Sequence, residues 1–219
     1  MAKNYTLSKE ADRMSHDNGT ANPNWFRPDV DPMAIRKLMQ KSDAIALRDT
    51  FVWLGAMCLS AGIAIALWPS WWSAPFWLLY GVLYGSASDS RWHECGHKTA
   101  FKTPWMNNVV YQIASFMIMR NPAIWRASHI RHHTDTIVVG RDPEIVSMRP
   151  PDLLRIALMF VGIIDLCNAF KQMFLHARGR IDPSEAMYVT PNAYFKIFMI
   201  ARIWLTIYMF TIALSLLMS

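Results

Sequence analysis

The sequence is short of charge, and the shortage is local: none of the 37 residues from Phe51 to Ala87 is Lys, Arg, Asp or Glu. A water-soluble surface needs charge interspersed every few residues, so this gap excludes an ordinary soluble domain and fits helices immersed in lipid. A second uncharged run, Ile203 to Ser219, has 17 residues. At a rise of about 1.5 Å per residue it is nearly one hydrocarbon thickness long. Cysteine is scarce as well, with Cys58, Cys95 and Cys167 far apart. That spacing excludes a disulfide framework and a C-x-x-C metal knuckle, and no haem-binding tract or cysteine pair suggests a fused electron carrier. The first 24 residues are polar and lack the apolar core of a secretory signal. Low-complexity tracts and internal repeats are missing too, and the length allows one domain.

What is present is basic. The net charge of +6 would suggest nucleic acid in a soluble chain. Its distribution points elsewhere: of 22 Lys and Arg, eight precede residue 50, eight lie in 88–152, six follow, and none lies in 51–87. This is the positive-inside asymmetry, which places the N-terminal arm and 88–152 in the cytoplasm and leaves no nucleic-acid partner to explain.

Residues 1–30 are polar, with few large apolar groups to offset ordering entropy, and read as a flexible cytoplasmic arm; 31–219 read as the membrane domain. Asp31-Pro32 offers a cap and a first-turn proline for an interfacial helix carrying Ile35, Leu38, Met39 and Ile45 and ending near Arg48. The uncharged stretch is long enough for two spans, 51–68 and 71–87, turning at Trp68-Pro69-Ser70-Trp71-Trp72. A polar cap follows over 88–152. Residues 153–175 are apolar, yet Asp165, Asn168, Lys171 and Gln172 share about a third of the helical wheel, which predicts an interfacial helix. A third span is expected over 197–219. The fold class is therefore all-α: a polytopic membrane protein with a transmembrane helix hairpin and a cytoplasmic helical cap.

Five of the seven histidines fall in two groups within that cap: His93-Glu94-Cys95-Gly96-His97 and His129-Ile130-Arg131-His132-His133. Residues at i, i+3 and i+4 share a helix face, so each group can aim two or three imidazoles at one point. Imidazole nitrogen is a ligand for zinc and iron, and three protein ligands suffice for a catalytic zinc. Five exceed that need and point to two metals, or to one of high coordination. The first group literally spells H-E-x-x-H, the zinc-protease motif, with Glu94 as general base. Against a protease, Gly96 weakens the helix and the three histidines of the second group have no peptidase role. Oxygen activation by iron in an all-histidine site accounts for them. His16 reads as incidental. His176, beside Arg178, is a weaker candidate ligand, more easily read as a solvated or headgroup contact.

His93-Glu-Cys-Gly-His97 with Lys98-Thr-Ala-Phe101, then Trp125-Arg126-x-x-His129-x-x-His132-His133, then Gly140-Arg-Asp142-Pro143-Glu144, resembles the membrane fatty acid desaturase superfamily over roughly residues 50–219. The resemblance implies a di-iron centre on the cytoplasmic side, with two Fe ions held by His93, His97, His129, His132 and His133. O2 is then the co-substrate, and the reaction removes hydrogen from methylenes of an acyl chain carried by lipid, CoA or a carrier protein. Electrons would come from a separate ferredoxin-like or cytochrome donor. Glu94 would stand behind the ligands and not act as a base; Asp142 and Glu144 would support the imidazoles by hydrogen bonding, against the alternative of a turn and helix cap at Asp-Pro. Alkane and carotenoid hydroxylases are relatives and form the alternative within the same fold; the zinc membrane protease is the alternative of another class. The family carries a third histidine box, and no histidine follows His176. The resemblance thus implies an N-terminal part of a desaturase whose iron site is incomplete and inactive on its own.

Overall fold

The computed structural model describes residues 5–21, 26, 28–88, 90–145 and 149–218; Asp89, which flanks the first histidine group, lies outside them. Among the described residues every regular element is helical. The chain forms two compact units, one of Arg27–Ile118 and one of Met1–Phe26 with Met119–Ser219.

In the first of these, α2 (Pro32–Leu38) starts as expected, with the Asp31 carboxylate accepting from Met33 N at 3.0 Å. It stops at Met39, well before Arg48. Ser42 then caps a new helix, α3 (Asp43–Ala66), so the last residues assigned to the interfacial helix are the first turns of a span. Asp43 also accepts from the Thr103 amide (2.9 Å) and hydroxyl (2.6 Å), which ties the start of α3 to the loop before α6 (Pro104–Met117). After a turn at 67–70 the chain returns as a short 3-10 segment, Trp71–Ser73, and α4 (Ala74–Gly85). The Trp53 indole donates to Leu83 O at 2.8 Å, joining the start of α3 to the end of α4, so the pair is an antiparallel hairpin. Trp68, Trp71 and Trp72 at its turn are all exposed, Trp71 to 92%, as suits an aromatic belt. α4 has only 12 residues, about 18 Å of rise, and is not by itself long enough to cross. The Tyr84 hydroxyl donates to Met117 O at 2.7 Å, fixing α4 to the end of α6. α5 (Ser90–Gly96) packs on α6, with Trp92 stacked on Tyr111.

The other unit contains α1 (Lys9–Asp17), α7 (Pro122–Asp135), α8 (Leu153–Val161), α9 (Ile163–Ala177) and α10 (Tyr194–Met218). The arm that composition marks as flexible thus holds a helix, capped by the Ser8 hydroxyl, with Ala11 and Ser15 buried. Residues 153–175 are two helices and not one: Gly162, at φ 72, breaks them, and Leu153–Met159 and Ile163–Ala177 lie at 76° to each other. The break comes from the left-handed glycine, which the helical spacing of the flanking apolar residues conceals. α10 packs on α9 through Phe170 against Tyr208, and Arg202 Nε donates to Ala177 O at 2.9 Å.

Among the described residues two helices, Asp43–Ala66 and Pro191–Leu217, are long and apolar enough to cross a membrane; the broken pair α8 and α9 meets the same test of composition only when taken together. The protein is an all-helical membrane protein.

Asn121 performs two tasks at the start of α7: its Oδ1 accepts from Ala123 N (3.1 Å) and its Nδ2 donates to Ile197 O on α10 (3.0 Å). Replacing Asn121 by alanine is expected to cost about 1–2 kcal/mol, the loss of a cap plus one partly buried bond. A lowered thermal midpoint of the detergent-solubilised chain checks it.

Candidate metal centre

α7 begins with the Asn121 cap and Pro122 at its first turn, a pairing that fixes the helix start and hence the rotation of every later side chain. At i, i+3 and i+4, His129, His132 and His133 share one face. Trp125, one turn earlier and buried, stacks on the His129 ring with centroids 4.3 Å apart. Beyond the helix, Ile137 (φ 66) and Gly140 (φ 84) turn the chain back, and two carboxylates return toward the imidazoles. Asp142 is buried and accepts from His132 Nδ1 (2.9 Å), Ile137 N (2.8 Å) and Glu144 N (2.8 Å). Glu144, positioned by that last bond, accepts from His129 Nδ1 (2.8 Å) and the Ser128 hydroxyl (2.7 Å).

The chemistry follows from the nitrogens. An Nδ1–H donated to a carboxylate leaves the lone pair on Nε2, the tautomer a metal ligand needs. His129 Nε2 lies 3.1 Å from His133 Nε2. With metal–nitrogen bonds of about 2.0–2.1 Å, that is the separation of two imidazoles bound side by side on one ion. The donor set therefore fits a borderline divalent metal such as iron or zinc, taken by nitrogen.

α5 supplies the other pair. His93 is on the helix and His97 follows its last turn, with ring centroids 4.8 Å apart. Lys98, at φ 61, ends the helix immediately afterward. Cys95 between them is fully buried, and burial, with Glu94 beside it, pushes its thiol up to about 12. It stays protonated at neutral pH in the metal-free chain. Glu94 makes no hydrogen bond to a histidine; it lines a cavity together with Lys41 and Arg91.

His176 has another occupation. It is 2% exposed, and its Nε2 lies 2.8 Å from Glu185 Oε2; Glu185, 6% exposed, also accepts from Asp182 N. It belongs to a buried pair that holds the 182–189 segment against α9, and not to a solvated face. Glu185→Ala leaves this imidazole without its partner and is expected to cost about 2–3 kcal/mol. Elemental analysis and a melting curve check the assignment: the midpoint falls and the metal content of the folded chain does not.

Other contributors carry no sequence signal. Asp135, 1% exposed, lies between Arg131 and Arg141 (Arg141 Nε at 3.2 Å), and Arg141 Nη1 reaches Asp12 of α1 at 2.6 Å. His16 also faces Arg141, at 3.0 Å. Ser128 holds Glu144 in place, yet as a lone serine it looks like any helix residue. Only its i−1 relation to His129 could have suggested it.

The fatty acid desaturase family profile matches residues 69–219. An omega-6 fatty acid desaturase of the endoplasmic reticulum from Glycine max is 34% identical over 73 residues, 32% of this chain and 19% of the relative. An sn-1 acyl-lipid omega-3 desaturase (ferredoxin) from Nostoc sp. is 32% identical over 74 residues, 33% of this chain and 20% of the relative. A Delta(12) fatty acid desaturase from Mortierella alpina is 32% identical over 73 residues, 32% of this chain and 18% of the relative. The matched stretch thus spans about a fifth of the length of these relatives. No solved structure matches the chain.

Proposed function

The chain belongs to the fatty acid desaturase family, and from that premise we propose that it serves an O2-dependent di-iron oxidoreductase that introduces a double bond into a fatty acyl chain. His93, His97, His129, His132 and His133 are the proposed ligands. The observation that carries the reading is the pair of carboxylates behind the second histidine group: Asp142 on His132 Nδ1 and Glu144 on His129 Nδ1. A peptidase needs one further ligand from that region and has no use for two buttressed imidazoles.

The chemistry that two irons supply when bound is reduction of O2 to two waters, using two electrons from a donor and two from the C–H bonds that become the double bond. The chain's own residues prepare the ligands. Asp142 and Glu144 fix ring orientation and tautomer, and their negative charge raises the basicity of the Nε2 atoms. Trp125 covers one face of His129 and keeps water from it. The substrate is an acyl chain on lipid, CoA or a carrier. The ferredoxin in the name of the Nostoc relative supports a ferredoxin-like donor, and the basic charge of 88–152 supports placing the boxes on the cytoplasmic face.

The test is elemental analysis of the full chain purified from cells supplied with both iron and zinc, with fatty acid analysis of their membranes. Iron in excess of zinc is expected, lost in the His129→Ala/His133→Ala double variant, and any oxidised lipid formed is expected to carry a new double bond and not a hydroxyl. Zinc in place of iron, or a hydroxylated product, overturns the reading.

A further inference from the structure

The unit formed by Arg27–Ile118 contains a cavity of about 240 Å3 that the metal chemistry does not use. Its wall comes from the first turns of α3, from Arg91 and Glu94 of α5, and from Thr99 to Phe101 after it. α3 passes there from its charged start (Asp43, Arg48, Asp49) into the uncharged run that opens at Phe51. A cavity at that level of a membrane helix lies at headgroup depth.

The lining holds two cations, Lys41 and Arg91, and two anions, Glu94 and Asp49, the latter already paired with Arg48 at 2.8 Å. A simple anion would meet two carboxylates and a simple cation two positive groups, so neither is favoured. A dipolar ligand satisfies both. Both cations are held in place: Lys41 Nζ donates one hydrogen to Lys98 O (2.7 Å) and keeps two more, while Arg91 Nη2 donates to Asp49 O (3.3 Å) with its guanidinium over the Trp53 ring. The Glu94 carboxylate has no hydrogen-bond or ion-pair partner among the described residues and is exposed. Ile45 and Phe101 add apolar wall, and Phe51 and Val52 next along α3 are exposed to lipid. The volume is below that of pockets for drug-sized molecules, about 300–1,000 Å3.

We propose that this cavity binds the zwitterionic headgroup of a phospholipid, its phosphate toward Lys41 and Arg91 and its ammonium toward Glu94, with the acyl chains passing along α3 into the bilayer. The site is independent of the iron reading and is tested without turnover.

The experiment titrates the detergent-purified full chain with soluble phosphocholine and, separately, with inorganic phosphate. Lys41 and Glu94 are both exposed, so their substitution leaves the fold intact within about 0.5 kcal/mol. Lys41→Met is expected to weaken phosphocholine at least fivefold. Glu94→Gln is expected to do the same while leaving phosphate binding unchanged or tighter, because only the ammonium contact is lost. Native mass spectrometry of the delipidated chain is expected to retain phosphatidylcholine over phosphatidylglycerol, and less of it in Glu94→Gln. Phosphate binding as tight as phosphocholine, equal retention of the two lipids, or wild-type phosphocholine affinity in Glu94→Gln would each overturn the proposal.

Discussion

Asp142→Ala is expected to lower the metal affinity of the chain by about 10- to 100-fold and its stability by about 3 kcal/mol. One buried carboxylate receives the His132 imidazole, the Ile137 amide and the Glu144 amide. Removing it leaves three donors facing a dry space, and each orphaned donor costs about 1–3 kcal/mol before relaxation. The metal effect has two routes. His132 loses the group that fixes its tautomer, and Glu144 loses the amide bond that aims it at His129. Asp142→Asn separates them. Its amide oxygen still accepts from one of the two backbone amides while its NH2 opposes the other, so part of the turn's stability survives and the negative charge behind His132 is gone. Metal titration followed by competition with a chelator reads the first effect, and thermal unfolding of the metal-free chain reads the second. Asp142→Ala with wild-type affinity and an unchanged midpoint would show that the carboxylate supports neither.

The sequence showed most plainly what depends on one stretch of chain. Uncharged runs mark α3 and α10 because lipid forbids charge wherever it occurs, and the i, i+3, i+4 spacing alone puts three histidines on one face of α7. Asp142 and Glu144 were visible because they follow that group by about ten residues and a glycine-containing turn joins them to it. Contacts between distant positions were not visible. α1 is stabilised by Asp12 reaching Arg141, 129 residues away, and by Ala11 lying against Gly140, where an added Cβ would approach to 2.6 Å. Composition alone counted its polar residues as unable to fold, when their partners were supplied by another part of the chain. Gly162 was visible as a residue and hidden as a break, because a periodic apolar pattern continues across it. The separate start of α3 at Ser42 was concealed by the same kind of continuity between Leu38 and Ile45.

Asp135→Ala is expected to destabilise the unit that carries α7 by about 3–5 kcal/mol, the range for removing one partner of a buried ion pair. Its carboxylate forms ion pairs with Arg131, four residues earlier on the same helix, and with Arg141 in the returning turn. Arg141 passes the connection to Asp12. Without Asp135 two guanidinium groups lie close together with one acid, a third exposed, between them, and repulsion replaces attraction. The end of α7 and the 137–144 turn should then separate, carrying Asp142 and Glu144 away from the imidazoles. The charge argument is checked by a double-mutant cycle. Asp12→Ala alone should cost well under 1 kcal/mol, because that carboxylate is a third exposed and solvent screens it. Combined with Asp135→Ala it should be more costly than the sum, since Asp12 is then the last anion facing both arginines. Hydrogen exchange at 137–144 should accelerate in Asp135→Ala while the α10 amides keep their protection. Uniform acceleration through both regions would place the loss in the whole unit and exclude a local clamp at the end of the histidine helix.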